Sequence, residues 1–402
     1  MVTGIEDTAH PVDSSSVMAL LPGRPRLLAL GEPTHGEDLL LDIRNGLFRQ
    51  LVEREGYRTI AIESDCLRGL AVDDHLASGA GTLDEAMEHG FSHGFGACAA
   101  NRELVRWMRA YNDGRPASER LRFAGFDGPL EITGAASPRQ ALTALHGHLA
   151  ENVGAELLPC TAAALDRLLG ADDRWTDPAA MTDPSRSAGR SAEARRLRLL
   201  ADELVALLDA QAPRLIAASS RDEWDRARLY GRTAVGLLRY HHWMADTSPA
   251  RMARLLGVRD QMMADNLLAL AERAPTLAFA HNAHLQRDES SMRMWDLPPV
   301  QWWSAGAIAE ARMGGQGYAF LATAVGTIRH RGVGTPPPDS LEGLLYALPG
   351  ERRVVDARRL AAAFGEAPPE PRRSPYHGYA PLDPAQLARM DAMVFVKDLP
   401  GE

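Results

Sequence analysis

Three short stretches of the chain bring imidazoles and carboxylates together at spacings that suit proton transfer. Glu32 and His35 lie in GEPTHGED, Glu63 and Asp65 close AIESD, and His281 and His284 lie in FAHNAH. A neutral imidazole accepts a proton from water near neutral pH, and a carboxylate bonded to it raises its basicity and fixes its tautomer. Either Glu32 or Glu63 can serve His35 in this way. A second imidazole, as a neutral N–H donor or as imidazolium, stabilises an oxyanion or protonates a leaving group, and His281 and His284 are the candidates. The set suits hydrolysis by an activated water. A strand-to-helix turn at HNAH would also present backbone N–H groups to an anion. Asp65 is a further candidate for binding substrate or supporting the cluster, although, like Asp127, it also suits a turn or cap. The plain alternative for Glu63 is a carboxylate buried against an arginine, with Arg44 or Arg259 as partner.

These stretches need elements to position them. RLLALGE from Arg26, RTIAIESD from Arg58, LRFAGFDG from Leu121, TLAFAHNAH from Thr276, YAFLATAVG from Tyr318 and AMVFVKD from Ala392 are short apolar runs ending in polar or glycine-bearing turns. That is the pattern of buried strands. Helical spacing separates several of them, as in Leu40, Ile43, Leu47 and Leu51, or Leu104, Met108 and Tyr111. The alternation predicts an α/β fold with a mixed, largely parallel central sheet flanked by helices. The polar residues then stand beyond the C-terminal ends of strands, where open α/β sheets carry their ligand crevice. Between Pro138 and Arg273 the strand signal almost vanishes in favour of Ala/Leu/Arg segments. The reading is a core made of residues 1-134 and 255-402, with a helical insertion, 135-254, forming one wall of a deep cleft. Within the insertion, ADDRWTDPAAMTDPSRSAGRS from Ala171 has the composition of an exposed loop, and GTPPPDS from Gly334 and EAPPEPRRSPYHGY from Glu366 are further breaks.

Bulk properties exclude several classes. A chain of 402 residues, 45% apolar and 24% charged, can bury a large core and does not call for long disorder. Its net charge of -9, without a Lys/Arg cluster interleaved with aromatics, argues against nucleic acid as a partner. Three widely spaced cysteines, Cys66, Cys98 and Cys160, form neither a disulfide framework nor a CxxC zinc site and suit a reducing compartment. The N-terminus carries acidic residues where a secretory signal needs positive charge, and no apolar run nears the roughly 20 residues of a membrane span. The expectation is a cytoplasmic protein with a small-molecule substrate, no membrane contact, no cofactor and no metal.

Other motifs in the chain point to rival chemistries. GFSHG, Gly90 to Gly94, fits the G-x-S-x-G elbow, but a helical pattern precedes Ser92 where the elbow needs a strand. Glu32, His35, His281 and His284 offer metal donors, yet HExxH is absent. A catalytically silent ligand-binding relative and an enzyme transferring an acyl group to a nucleophile other than water are the remaining alternatives. His241 and His242 read as packing, His89 and His93 as loop flanks, Met262 and Met263 as helix core, and Trp295, Trp302 and Trp303 as packing after the HNAH motif.

Taken together, GEPTHGED, AIESD and FAHNAH resemble the erythromycin esterase family. Supporting blocks stand in the same order: HGFGACAANRELVRWMRAYN from His93, FAGFDG from Phe123 and RDQMMADNLLAL from Arg259. The resemblance implies a mixed α/β core with a helical cleft wall and metal-independent hydrolysis of a macrolide lactone, which would make the protein an antibiotic resistance factor. It places the general base on His35, the acidic residues of the first two motifs on Glu32 and Glu63, and lactone-polarising histidines on His281 and His284. Arg44 and Arg259 match arginines that hold the polar cluster together. Leu39, where many members are acidic, and Pro33, in place of the commoner Ala or Ser, depart from the pattern without removing a proposed catalyst.

Overall fold

A computed structural model of the protein describes residues 8–131, 134–293, 299–365, 368–374 and 376–400. In chain order its strands are β1 (Ala9–His10), β2 (Leu27–Glu32), β3 (Thr59–Asp65), β4 (Arg122–Asp127), β5 (Leu130–Glu131), β6 (Gly134–Ala135), β7 (Thr276–His281), β8 (Glu289–Met292), β9 (Val300–Trp303), β10 (Tyr318–Ile328), β11 (Arg352–Val355) and β12 (Ala392–Leu399). Eight form one sheet in the order β1-β11-β12-β10-β2-β7-β3-β4. The six runs expected as strands make its parallel part, β12-β10-β2-β7-β3-β4. Two antiparallel strands that the hydrophobic pattern did not announce, β11 and β1, finish the other edge. Both are short, and RRVV offers only two apolar residues to read.

Side chains alternate across the sheet, and each face has its own core. Leu28 and Leu30 of β2, Ile60 and Ile62 of β3, and Leu277 and Phe279 of β7 pack with Leu47, Phe48 and Leu51 of the helix Asp38–Glu55. On the opposite face Ala29, Ala61, Ala278 and Ala280 are small, so the helix Arg251–Arg273 approaches closely through Met263, Ala264 and Leu267. The sequence therefore assigns a helix to each side by residue size. The helices Arg139–Asn152, Ala162–Leu169, Ala192–Ala210 and Arg221–Met244 share a third core of Leu142, Leu145, Leu149, Leu165, Leu197, Leu204 and Leu238.

The stretch from Ala171, expected as an exposed loop, is a string of short helical turns with Trp175, Ala180 and Met181 buried. Asp177 and Asp183 cap turns whose next residue is Pro178 or Pro184, so the Asp-Pro content that reads as a loop is helix-start chemistry. Trp303 does not pack: it is 58% exposed, while Trp302 beside it is buried. Trp295 lies outside the described residues, as do Glu366, Ala367 and Pro375 of the second Pro-rich break and the first seven residues. Met262 and Met263 are buried, as expected of helix core. Among the described residues no helix is long and apolar enough to cross a membrane.

Candidate active site

Strand register sets the site. Glu32, the last residue of β2, pairs with His281, the last residue of β7, so two turns leave the sheet side by side. Parity then sends Glu32 to the face of the helix Asp38–Glu55, and Glu63 to the face of the helix Arg251–Arg273. This is why Arg259, and not Arg44, pairs with Glu63. Arg259 Nη2 lies 3.2 Å from Glu63 Oε1, and the same guanidinium grips Asp127 through Nε and Nη2, at 2.7 Å for the shortest contact. Arg44 is wholly buried on the other face, where it donates to Asn45 and Asn101 and lies over the Phe279 ring, within the field of Glu32.

Glu63 is the hub. Its Oε2 accepts the His281 backbone N–H at 2.8 Å and lies 4.0 Å from His35 Nε2, while its Oε1 faces His284 Nε2 at 3.3 Å. Burial alone would raise its pKa, but His284, His35 and Arg259 outweigh burial and hold the carboxyl well below the usual range. Glu32 differs: burial dominates and raises its pKa, and only Oε1 is engaged, by His35 Nδ1 at 2.7 Å. His35, with 41% of its side chain exposed, is the open member of the cluster. Its pKa is lowered by burial but raised more strongly by Glu63 and Glu32, and stands at about 9.

The FAHNAH histidines are not equivalent. His281 is partly buried, with no carboxylate bonded to its ring among the described residues, and its pKa falls to about 4 because burial and the nearby His35 disfavour the cation. Its Nδ1 accepts the Ala283 N–H at 3.2 Å and its ring also bonds the Pro33 backbone, with its centroid 5.4 Å from that of His35. The backbone N–H groups of His281 and Ala283 are thus taken, by the Glu63 carboxylate and the His281 ring, so the anion nest expected at HNAH is not formed by them. His284 donates or shares Nδ1 with Asp260 Oδ1 at 2.6 Å, and its pKa is raised because Asp260 and Glu63 together outweigh burial. The other oxygen of Asp260 takes the Trp302 indole N–H at 2.8 Å.

Asn282, between the two histidines, laces the turn to β10, donating to the Thr323 carbonyl and accepting its N–H. Gly31 makes room for it: a Cβ at position 31 would fall 2.1 Å from Asn282 Oδ1.

Of the expected residues, Glu32, His35, Glu63, His281 and His284 come together, Arg259 joins them directly and Arg44 only through the field at Glu32. Asp65 does not join: it caps Leu67 and Arg68 with its carboxylate, and burial raises its pKa. Ser92 is a link between β3 and the following loop, its hydroxyl accepting the Asp65 N–H and meeting Ser64, and the helix Leu83–His89 precedes it. Among the described residues no imidazole is hydrogen-bonded to it. His241 is buried against Trp175 and bonds the Ala136 carbonyl, as packing predicts. His93 is more than a loop flank, since it meets Asp127 and Glu131 and packs edge-on against Phe95, which in turn meets His35. Asp260 and Phe95 were not singled out from the sequence, and His93 and Trp302 were read there only as a loop flank and as packing. Only Asp260 carried a signal there, as the residue after Arg259. Among the described residues no group of three or more His, Cys, Asp or Glu is arranged to hold a metal ion.

The erythromycin esterase family model matches residues 52–399, a stretch that contains Glu63, Arg259, His281 and His284 and begins after Glu32 and His35. Three solved structures share the fold. A Bacillus cereus protein is 18% identical, with a TM-score of 0.72 over 99% of this chain and 97% of that one. A succinoglycan biosynthesis protein is 15% identical, with a TM-score of 0.70 over 99% and 96%. A mutant of erythromycin esterase EreC in its open conformation is 18% identical, with a TM-score of 0.65 over 95% and 93%. No curated protein matches the sequence.

Proposed function

This chain belongs to the erythromycin esterase family, and from that premise we propose that it is a hydrolase opening an ester or lactone, a macrolide ring first of all, with water activated at His35. One observation supports the reading best: His35 has Nδ1 engaged by Glu32 while Nε2 faces Glu63 across 4.0 Å, a separation that one water can bridge. Nε2 of neutral His35 takes a proton from that water as the oxygen attacks the carbonyl carbon. Glu32 steadies the imidazolium that forms. His284, on the far side of Glu63, donates to the developing oxyanion. Collapse breaks the acyl C–O bond, and the alkoxide leaves with the proton from His35, giving an acid and an alcohol. His281, neutral and bonded within its turn, buttresses the His35 ring, and Arg259 keeps Glu63 ionised. In this reading residues 1-134 and 255-402 form the core and 135-254 supply a wall of the substrate cleft.

The proton acceptor and the oxyanion donor are both imidazoles, so turnover should survive exhaustive chelation. The test is incubation with a panel of macrolides and simple lactones, followed by mass measurement. A gain of one water is expected; unchanged masses across the panel overturn the reading. The exposed side of His35 favours one variant, in which a nucleophile other than water takes the acyl group. A product heavier by the mass of an added alcohol or amine would identify it.

A further inference from the structure

The two oxygens of Asp260 are spent on different donors, the His284 imidazole at 2.6 Å and the Trp302 indole at 2.8 Å, and the carboxylate is fully buried. Arg259, next to it in sequence, is turned to Asp127 and Glu63. Asp260 thus has no arginine or lysine in direct ion-pair contact among the described residues; Arg259 reaches it only through its field, and the cation bonded to it is His284. The other nitrogen of that ring faces Glu63 Oε1 at 3.3 Å. A lone pair near an ionised carboxylate is repelled whereas an N–H there is attracted, so a hydrogen-bonded carboxylate at Nδ1 and a second carboxylate within ion-pair distance of Nε2 favour a proton on each nitrogen.

We propose that Asp260 and Trp302 are a positioning pair that holds His284 as the doubly protonated imidazolium, with Trp302 limiting how strongly Asp260 binds it. Trp302 comes from β9, in the β8–β9 hairpin, so a peripheral element tunes the oxyanion donor. The groups facing His284 are Asp260 and Arg259 from one helix, Glu63 from β3 and His281 from its own turn, with His35 across Glu63. Removing the Asp260 charge withdraws support from the cation. Removing the indole N–H has the opposite sign, because a carboxylate that loses a neutral donor becomes the stronger acceptor for the imidazolium.

The proposal rests on the reading of His284 as part of the active site, and its test has one arm that needs no substrate. Histidine ring resonances of the full chain, followed by NMR across pH, give the His284 titration directly. Asp260→Asn should lower it by roughly one to two pH units and Trp302→Phe should raise it by a few tenths of a unit or more. Shifts of opposite sign support the pair. Shifts of the same sign, or none, overturn it, and should Asp260→Asn fail to fold, an unmoved titration in Trp302→Phe does so alone. In the second arm, the alkaline limb of kcat/KM for erythromycin should move down in Asp260→Asn and up in Trp302→Phe. If erythromycin is not opened while the titrations still move apart, the esterase reading fails and the positioning pair stands.

Discussion

Two turns leave neighbouring strands at the same level of the sheet, one after β2 carrying Glu32 and His35, the other after β7 carrying His281 and His284. Each holds an imidazole–carboxylate bond of nearly the same length, 2.7 Å at His35 and 2.6 Å at His284. Their surroundings separate them. His35 is half open and keeps one nitrogen free of a direct bond, whereas His284 is buried with a carboxylate at either end. A short hydrogen bond to an acid therefore does not by itself make a base. What the second nitrogen meets decides whether the ring can accept a proton or only hold one.

The comparison breaks most visibly at His35. Replacing it with alanine should cut kcat/KM on a macrolide by roughly a thousandfold, in the range general-base catalysis supplies, with an unchanged circular-dichroism spectrum. A folded, fully active variant would remove the base from the β2 turn and with it the distinction drawn here. Next in size is the charge that keeps the two turns compatible. Arg259→Ala strands Glu63 and Asp127, both buried, and should cost about 3–5 kcal/mol in denaturant unfolding, as breaking buried ion pairs does. A loss below 1 kcal/mol would mean that the carboxylates do not depend on it.

The smallest effect sharpens the contrast. His35 stands at about 9 against an unfolded value near 6.5, so activity that needs its neutral form should climb as pH rises through neutrality toward 9. The same shift stabilises the fold fully below about pH 6.5, and that contribution disappears as pH rises to 9. His281 has the reverse sign, since its depressed value of about 4 costs stability as pH falls from about 6.5 toward 4. Glu32→Gln should move the rising limb of the pH–rate profile downward and leave the falling limb, set by His284, in place. Movement of both limbs together would show that the turns titrate as one unit.

Much of this was legible in the residues alone. The parallel strands announced themselves as apolar runs, and their ends gathered the five polar residues because parallel strands share a carboxyl end. The partner of Glu63 was open between Arg44 and Arg259, since composition cannot tell which face of a strand an alternate residue takes; the alanines at 61 and 278 decide it only once the register is known. The unequal roles of His281 and His284 were hidden for a similar reason. Both lie in HNAH, and what distinguishes them, Asp260 on a helix and Trp302 on a hairpin, is contributed from elsewhere in the chain. Asp65 reads both as a cluster member and as a cap, because a carboxylate two residues from Glu63 shares its face in a regular strand; with the register shift between Ile62 and Asp65 it caps Leu67 and Arg68 instead.

Gly31 carries no chemistry of its own, yet the clearance it leaves for Asn282 sets how near the two histidine-bearing turns can sit, and Asn282 is in turn bracketed by the backbone of Thr323. Anyone grafting this cluster onto another scaffold should treat the glycine, the asparagine and the β10 backbone at Thr323 as one indivisible part. A transplant that copied every ionisable group and admitted a methyl at position 31 would spread the two loops apart, and its pieces would be correct while their assembly was not.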